Sequence, residues 1–473
     1  MRHIAVDICV VGAGSGGLSV AAAATQMGAS TVLIEKAKMG GDCLNYGCVP
    51  SKSLLAAAHA AASARKAKQF GVECGSIWVD GPRVYEHIRG VIAAIAPNDS
   101  EERFEGLGAT VIRAPAKFVG PSEVEAGEFR ITARRFVIAT GSSPAIPNVP
   151  GLDRIPFETN ETIFDRESLP RHLLIVGGGP IGLEMAQAHR QLGADVTVLE
   201  RMTILPKDDP ELTAILRDLL IKDGIRIVEN AVIENVESSG FGIAARLRVD
   251  GQIETVEASD LMVAAGRKPT VHGLGLDAAG IEYSPQGISV DARLRTTNKR
   301  VFAVGDVAGP YQFTHMAGYH AGIVIRNALL RLPSKVDYRA VPWVTFTEPE
   351  LAQIGLSESE ARARHPEIRI ARWSFHENDR AQAERLTDGL VKVIATPRGR
   401  VLGASILGAR AGELIQLWGL AIQQGLKLSA VARMIAPYPT LGEVNRRAAG
   451  SYYTAALFGP RLRRLVRFLA KFG

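Results

Sequence analysis

Cysteine is scarce in this chain of 473 residues, which contains only Cys9, Cys43, Cys48 and Cys74. So few cysteines, two of them isolated, do not form the dense disulfide framework of a small secreted domain. In a reducing compartment, a close pair is more often catalytic or metal-binding. We therefore expect a cytoplasmic protein, and the close pair becomes the first candidate site.

Long apolar runs and nucleic-acid motifs are also lacking. No stretch is long and apolar enough to cross a bilayer. The N-terminal apolar run is short and passes directly into glycines, which favours a buried strand over a signal peptide. The net charge is +6, yet zinc-finger spacing, RNA-binding signatures and a lysine-rich tail are missing, so a nucleic-acid partner is not expected.

The chain is long and contains many glycines. Its 473 residues exceed one ordinary core and predict roughly three domains of about 150 residues each. The 48 glycines suit a fold with several tight strand-to-helix turns.

Two segments repeat the same order of strand, glycine-rich turn, helix and strand. The first has strands over 4–11 and 31–34 around a helix over 18–27; the second has strands over 173–176 and 196–199 around a helix over 183–192. An acid lies 18 positions after the last glycine of both motifs, which are Gly12, Gly14, Gly17 with Glu35, and Gly177, Gly179, Gly182 with Glu200.

This pattern predicts two dinucleotide-binding units. The first glycine allows a tight turn, the second lets the backbone approach a pyrophosphate, and the third allows close helix–strand packing. The helix N-terminus offers N–H groups to the phosphates, and the acid binds ribose hydroxyls. Two sites imply two dinucleotides, for which a flavin and a nicotinamide are the natural pair. Glu200 favours NAD(H), whereas Arg201 directly after it leaves NADP(H) as the alternative.

The cysteine pair lies in the segment GGDCLNYGCVPSK, residues 40–52. Both cysteines sit beside glycines at the start of a predicted helix, a position that lowers thiol pKa values and favours reactivity. A zinc site needs more ligands, and neither Cys9 nor Cys74 provides the spacing, so no metal site is predicted. Two unrelated buried thiols are the other alternative.

This segment resembles the active-site signature of the class I pyridine nucleotide-disulfide oxidoreductases, the family of dihydrolipoamide dehydrogenase, glutathione reductase and mercuric reductase. The resemblance covers essentially the whole chain. It implies an α/β fold with two Rossmann-like nucleotide-binding domains and a C-terminal α+β dimerisation domain, in a homodimer. The expected domains are FAD-binding over 1–152, NAD(P)-binding over 153–270, a central region completing the FAD domain over 271–340, and dimerisation over 341–473.

The resemblance also implies a relay from NAD(P)H through FAD to a disulfide between Cys43 and Cys48. Cys48 would face the flavin and Cys43 would exchange with substrate. Lys52 would lie near the flavin and pair with Glu184. The alternatives are that Lys52 is a solvated lysine on its helix and that Glu184 is a surface acid. Asp306 would hold the flavin's ribitol. The remaining implied cofactor contacts are Lys36, Gly41, Asp42, Ala116, Thr140, Gly141, Pro180, Ile181, Gly266, Phe313, Thr314 and His315.

One family motif is altered. Where the family usually carries His-Pro-Thr-x-x-Glu, this chain has Tyr438 to Glu443 with tyrosine in the histidine's place. A phenol with a pKa near 10 accepts protons poorly at neutral pH, which weakens the case for efficient turnover of lipoamide or glutathione. Tyrosine at this place resembles the mercuric reductases, but we expect the protein to lack their C-terminal cysteine pair and N-terminal metal-binding domain. Tyr438 either packs at the interface or faces the substrate.

The segment over 461–472 reads as a basic amphipathic helix. Packing on the dimer with a solvated basic face is the favoured interpretation, and an anionic membrane surface is the alternative.

The sequence therefore predicts a flavoprotein reductase that passes electrons from NAD(P)H to a disulfide, a thiol-bound metal or a similar small acceptor. A quinone- or dye-type diaphorase that does not need the disulfide is one alternative. A flavin redox partner of a membrane protein is the other.

Overall fold

The computed structural model describes residues 1–472, whose helices and strands alternate through most of the chain. The strands are β1 (Arg2–Val11), β2 (Thr31–Ile34), β3 (Ala109–Ile112), β4 (Ala116–Gly120), β5 (Glu123–Ala126), β6 (Phe129–Ile138), β7 (Ser142–Pro144), β8 (His172–Val176), β9 (Asp195–Leu199), β10 (Arg226–Val228), β11 (Ala231–Ser239), β12 (Gly242–Val249), β13 (Gln252–Ala258), β14 (Asp260–Val263), β15 (Arg267–Pro269), β16 (Tyr283–Ser284), β17 (Gly287–Ile288), β18 (Val301–Ala303), β19 (Pro342–Thr345), β20 (Glu350–Gly355), β21 (Arg369–Ser374), β22 (Leu390–Ala395) and β23 (Val401–Gly408). The α-helices are α1 (Ser15–Gln26), α2 (Gly41–Asn45), α3 (Cys48–Lys66), α4 (Gly81–Ile95), α5 (Glu101–Gly106), α6 (Pro180–Leu192), α7 (Pro210–Lys222), α8 (Thr314–Ala328), α9 (Glu358–Arg364), α10 (Asp379–Glu384), α11 (Ala411–Leu414), α12 (Gln416–Gln423), α13 (Leu428–Ala432), α14 (Glu443–Leu457) and α15 (Pro460–Leu469).

The chain forms two compact units. The first contains residues 1–178, 188–201 and 230–336; the second contains 179–187, 202–229 and the residues from Asp337 onward. The α/β fold class is confirmed. The four domain boundaries expected from the sequence stay a prediction.

The first unit is built on a mostly parallel sheet of order β3-β2-β1-β6-β5-β4, with β18 also paired to β6. The apolar run of β1 ends in Ile8 to Val11. These residues are buried, and their side chains alternate between the apolar cores on the two faces of the sheet. In register, Val11 lies beside Ile34 of β2 and Ile138 of β6, and Ala303 of β18 also pairs with Ile138. The carboxyl ends of these four strands therefore meet at one edge, where α/β sheets bind ligands.

A smaller parallel arrangement repeats this geometry, because β8 pairs with both β9 and β14. An antiparallel ladder of β11, β12 and β13 is inserted in the chain between β10 and β14.

The short strand β15 directly follows Gly266 and pairs antiparallel with β7. Both strands end in a proline, which this short ladder accommodates because a proline at the end of an edge strand need not donate a hydrogen bond.

The second unit contains an antiparallel sheet of order β19-β20-β23-β22-β21. Helices α11 to α14 pack around it over a core that includes Trp418, whose indole N–H donates to Asn445 Oδ1 at 2.8 Å. Lys392 of β22 is buried, and its ammonium lies 2.7 Å from Asp209 Oδ2 and 2.9 Å from Glu358 Oε2. Buried charge pairing of this kind compensates the desolvation of the lysine. Among residues 1–472, no helix is long and apolar enough to cross a membrane.

Candidate active site

The first glycine loop connects β1 to α1 and leaves no room for a side chain at Gly12 or Gly17. Gly12 has a φ of +104°, and a Cβ there would lie 2.4 Å from the carbonyl oxygen of Ala139. A Cβ on Gly17 would lie 1.8 Å from the carbonyl oxygen of Gly12. Gly14 caps α1 without a side-chain hydrogen bond, so the helix start presents backbone and no competing side chain. This geometry fits the pyrophosphate of a dinucleotide.

Glu35 is fixed beside that loop at the end of β2. Its carboxylate accepts hydrogen bonds from the N–H groups of Ala13 and Ala37, both at 2.7 Å. Lys36, next to it, is exposed. The buried carboxylate therefore lies where the sequence analysis expected an acceptor for ribose hydroxyls.

The cysteine segment packs directly on the glycine loop. The N–H of Gly40 donates to the carbonyl oxygen of Ala13 at 3.0 Å, and a Cβ on Gly41 would lie 2.6 Å from the Cα of Gly14. Only glycine allows two backbones to approach this closely. The loop and the cysteine pair thus form a single site.

Cys43 lies in α2, and Cys48 is the first residue of the long helix α3. Both are free thiols. Cys48 is exposed in the single chain, and the hydrogen bond from Cys43, together with the Thr314 hydroxyl at 3.4 Å and the positive charge of Lys52, lowers its pKa to about 6. The same Cys43–Cys48 hydrogen bond and burial raise the pKa of Cys43. At neutral pH the pair therefore holds one thiolate, on Cys48, and one thiol.

A charged cluster lies beside the pair at the same sheet edge. The guanidinium of Arg267, only 12% exposed, lies 3.0 Å from Asp42 Oδ1 and 3.9 Å from Asp306 Oδ2. Its Nε–H donates to Ser142 Oγ at 2.7 Å, and the Ser142 hydroxyl donates to Asp306 Oδ2 at 2.5 Å. Burial raises the pKa of Asp306, while Ser142 and Arg267 oppose that rise. The cluster orients the carboxylate that the sequence assigned to the flavin.

His320 of α8 holds the turn before Asp306. Its Nδ1 accepts from the N–H of Gly305 at 3.2 Å, and burial lowers its pKa to about 4. The imidazole is therefore neutral at physiological pH and acts as an acceptor. At the start of α8, the rings of Phe313 and His315 stack 5.2 Å apart.

The predicted contacts at Thr140 and Gly141 follow β6. Thr140 Oγ1 donates to the carbonyl oxygen of Thr270 at 2.8 Å, and the Gly141 carbonyl accepts from the N–H of Thr270 at 2.9 Å. Both residues thus lie at the same edge as the glycine loop. Ala116 begins β4, and its contact with a cofactor stays a prediction.

The second glycine loop repeats the first. Gly177 has a φ of +119°, and a Cβ there would lie 2.4 Å from the carbonyl oxygen of Ala264. Glu200 accepts from the N–H of Gly178 at 2.8 Å, as Glu35 does in the first loop. Pro180, Ile181 and Gly182 form the first turn of α6. Gly266, with a φ of +117°, immediately precedes β15.

Glu184 of α6 is buried rather than a surface acid. Its carboxylate accepts from the N–H of Phe346 at 3.0 Å. Its pairing with Lys52 stays a prediction.

The altered motif places Tyr438 at the surface, with 70% of the residue exposed. Its hydroxyl donates to Asp379 Oδ2 at 2.9 Å, and this hydrogen bond raises the pKa of the phenol. Glu443 is buried at the start of α14 and pairs with Arg446 at 3.2 Å. Tyr438 is therefore a neutral donor near pH 7 and not a general base.

Three members of the charged cluster around Asp42 and Asp306 were not predicted from the sequence. Arg267 directly follows Gly266, which was a predicted contact. Asp42 and Asp306 were both expected at one site, and two acids placed together require a cation, so the sequence did contain a signal for Arg267. Ser142 and Asn160 lie outside any motif. Asn160 is buried, and its amide donates to Asp42 Oδ1 at 3.1 Å. Only the tertiary structure reveals these two.

Comparison with known proteins gives matches along most of the chain. Residues 6–321 match the pyridine nucleotide-disulphide oxidoreductases, and residues 341–449 match the dimerisation domain of that family. The mercuric reductase of Streptomyces lividans is 35% identical over 458 residues, covering 95% of this chain and 97% of that protein. The dihydrolipoyl dehydrogenase of Geobacillus stearothermophilus is 33% identical over 454 residues, covering 94% and 96% respectively.

Solved structures of flavoprotein disulfide reductases also match this chain. A Cu(II) complex of the HOCl-induced flavoprotein disulfide reductase RclA from Escherichia coli superposes with a TM-score of 0.85 at 25% sequence identity. The match covers 94% of this chain and 99% of that one.

Proposed function

The chain belongs to the pyridine nucleotide-disulphide oxidoreductase family, and we propose that it reduces a small acceptor at Cys43 and Cys48 with electrons from NAD(P)H. The observation that carries the proposal is the asymmetry of the pair. The pKa of Cys48 is lowered to about 6 while that of Cys43 is raised, beside a loop that fits a dinucleotide. Structural thiols are buried and inert, whereas reactive ones have lowered pKa values.

FAD is the flavin of this family, and the residues at the sheet edge suit it. The loop from Gly12 to Gly17 would hold the pyrophosphate, Glu35 the adenosine ribose and Asp306 the ribitol. When bound, FAD would supply two-electron transfer from the nicotinamide to the sulfur pair. Arg267 orients Asp306 and offsets its charge.

The reduced cysteine pair then reduces the acceptor. Transfer of the shared proton from Cys43 to Cys48 makes Cys43 the thiolate, which attacks an acceptor disulfide and releases its first thiol. Cys48 then attacks the mixed disulfide, re-forms the Cys43–Cys48 bond and releases the second thiol. The acceptor gains two electrons and two protons, one proton from the pair and one from water, and the pair returns to the disulfide.

Two groups tune this exchange. The hydroxyl of Thr314 and the positive charge of Lys52 stabilise the thiolate of Cys48. We expect Glu184 to position Lys52. Because Tyr438 is a poor base, proton transfer between the two cysteines replaces the role that the family's histidine usually has.

The acceptor class that the site favours is a disulfide or a soft metal ion bound by small thiols. Two adjacent sulfur atoms can exchange with a disulfide and can also bind a soft metal ion. Relatives named mercuric reductase, and a disulfide reductase solved as a Cu(II) complex, are consistent with metal acceptors. We expect a metal ion to arrive as a complex with small thiols.

The nucleotide is expected to be NAD(H) in preference to NADP(H). Hydrogen bonding to Gly178 holds the Glu200 carboxylate at the second loop, where it would repel a 2′-phosphate. Arg201, exposed beside it, makes NADPH the necessary comparison.

The dimerisation domain supports a homodimer. We expect the segment of Tyr438 and Glu443 from each subunit to complete the partner's acceptor site.

The test is acceptor reduction by cysteine variants. NADH and NADPH oxidation is followed with oxidised glutathione, lipoamide, thiol-bound Hg(II) and Cu(II), and benzoquinone. Cys43→Ser and Cys48→Ser should abolish disulfide and metal reduction while retaining FAD and quinone reduction. Cys74→Ser, which changes an exposed thiol outside the site, is the matched control and should keep full activity. Disulfide and metal reduction that survives in both active-site variants would favour the diaphorase alternative.

A further inference from the structure

The C-terminal helix α15 exposes an apolar face to solvent. Leu465, Val466, Phe468 and Leu469 are 48–58% exposed, and Phe472 just after the helix is 74% exposed. At 3.6 residues per turn these side chains fall within one half of the helix circumference. Contiguous exposed apolar surface of this kind marks an interaction site.

The opposite half of the helix is strongly basic. Arg463, Arg464, Arg467 and Lys471 project from it, and the chain contains no aspartate or glutamate after Glu443. The segment therefore combines a wide apolar face with uncompensated positive charge.

Helix α15 lies outside the residues that match the family's dimerisation domain. The match to the dimerisation domain ends at residue 449, whereas α15 begins at Pro460. Leu457 and Phe458, shortly before the helix, are also exposed. A second copy of the helix would bring like charges together around its own apolar face, which opposes self-association.

We propose that α15 is an interfacial helix that binds the surface of an anionic lipid bilayer. The apolar face enters the boundary between headgroups and acyl chains, and the basic residues lie at the level of the lipid phosphates. Guanidinium groups suit this role because they bind phosphate oxygens through two parallel hydrogen bonds. The helix has ten residues, too few to span the hydrocarbon core, so it lies in the plane of the membrane. This inference stands independently of the acceptor proposed above.

The experiment is vesicle flotation of the FAD-loaded full chain. Vesicles of phosphatidylcholine with about one third phosphatidylglycerol are compared with vesicles of phosphatidylcholine alone, at low and high salt. The protein should float with the anionic vesicles, bind the neutral ones weakly, and be released in part by salt, since the attraction acts over a Debye length.

Matched variants separate the two faces of the helix. Replacing both Arg463 and Arg467 by glutamate should weaken binding about fivefold for each unit of charge removed, whereas replacing both by lysine should preserve it. Leu465→Gln with Leu469→Gln should abolish binding with the charge unchanged. All variants should retain FAD and full reduction of water-soluble acceptors, which shows that they fold.

Three results would overturn the proposal. These are equal binding to neutral and anionic vesicles, unchanged binding of the glutamate variant, and a change from dimer to monomer in the Leu465 and Leu469 variant. The last result would identify the apolar face as part of the subunit interface.

Discussion

The hydrogen bond between the two active-site sulfurs is the main cause of the lowered Cys48 pKa, and it can be removed without changing the rest of the site. Cys43→Ala deletes the donor, while Cys43→Ser keeps an O–H in nearly the same place. Both variants retain Thr314 and Lys52. The pair of variants therefore isolates one hydrogen bond to a thiolate.

The contribution of this hydrogen bond to the Cys48 pKa follows from general values. A hydrogen bond to a charged group contributes about 1.5–3 kcal/mol, and about 1.4 kcal/mol corresponds to one pH unit. The Cys48 pKa of about 6 should therefore rise to roughly 7–8 in Cys43→Ala. In Cys43→Ser it should stay within about half a unit of the starting value.

The assay is the pH dependence of alkylation by iodoacetamide, followed by mass spectrometry of the Cys48 peptide. It is carried out in a Cys74→Ser background, because Cys74 is exposed. Cys9 does not interfere, since burial raises its pKa to about 12. A midpoint that is the same in the alanine and serine variants would refute the assignment of the lowered pKa to this hydrogen bond.

Three further predictions concern the nucleotide loops and the second unit. Gly177→Ala places a Cβ against Ala264 at a positive φ, so KM for the nicotinamide should rise at least tenfold in steady-state assays while FAD content stays near wild type; equal loss of FAD would contradict this. Arg267→Gln should lower FAD retention on gel filtration, because Asp306 loses its cation, whereas Arg267→Lys should restore part of it. Burial raises the pKa of Asp208 to about 6 from 3.8, so its contribution to stability is full below about pH 4 and is lost as the pH rises to 6. Asp208→Asn, which still accepts from Trp343, should therefore stabilise the fold by about 1–3 kcal/mol at pH 7 and have little effect at pH 4 by thermal unfolding; equal effects at both pH values would contradict the linkage.

Sequence reasoning identified those features that contiguous residues determine. Gly12 and Gly177 each end a buried strand with a positive φ, and their role follows from the local pattern. The cysteine segment was likewise recognisable, because its glycines, thiols and lysine lie within thirteen positions. The resemblance to a family then supplied Asp306 and the dimer.

Features that depend on distant pairing were not predictable. Arg267 reaches Asp42 across more than two hundred residues, and Ser142 and Asn160 carry no motif. The strand at 267–269 exists because β7 is its partner, which composition alone does not show. The helix over the C-terminal segment was predicted, but its exposed apolar face was not.

The central claim is that the cysteine pair lies in the electron path between the flavin and the acceptor. An anaerobic titration of the FAD-loaded protein with NADH, and separately with NADPH, tests it most directly through the visible spectrum. We predict that two electrons per subunit produce a long-wavelength band from charge transfer between the Cys48 thiolate and the flavin. The band should disappear in Cys48→Ser and, in the wild type, as the pH falls below about 6. Bleaching of the flavin with no such band at any pH would contradict the account.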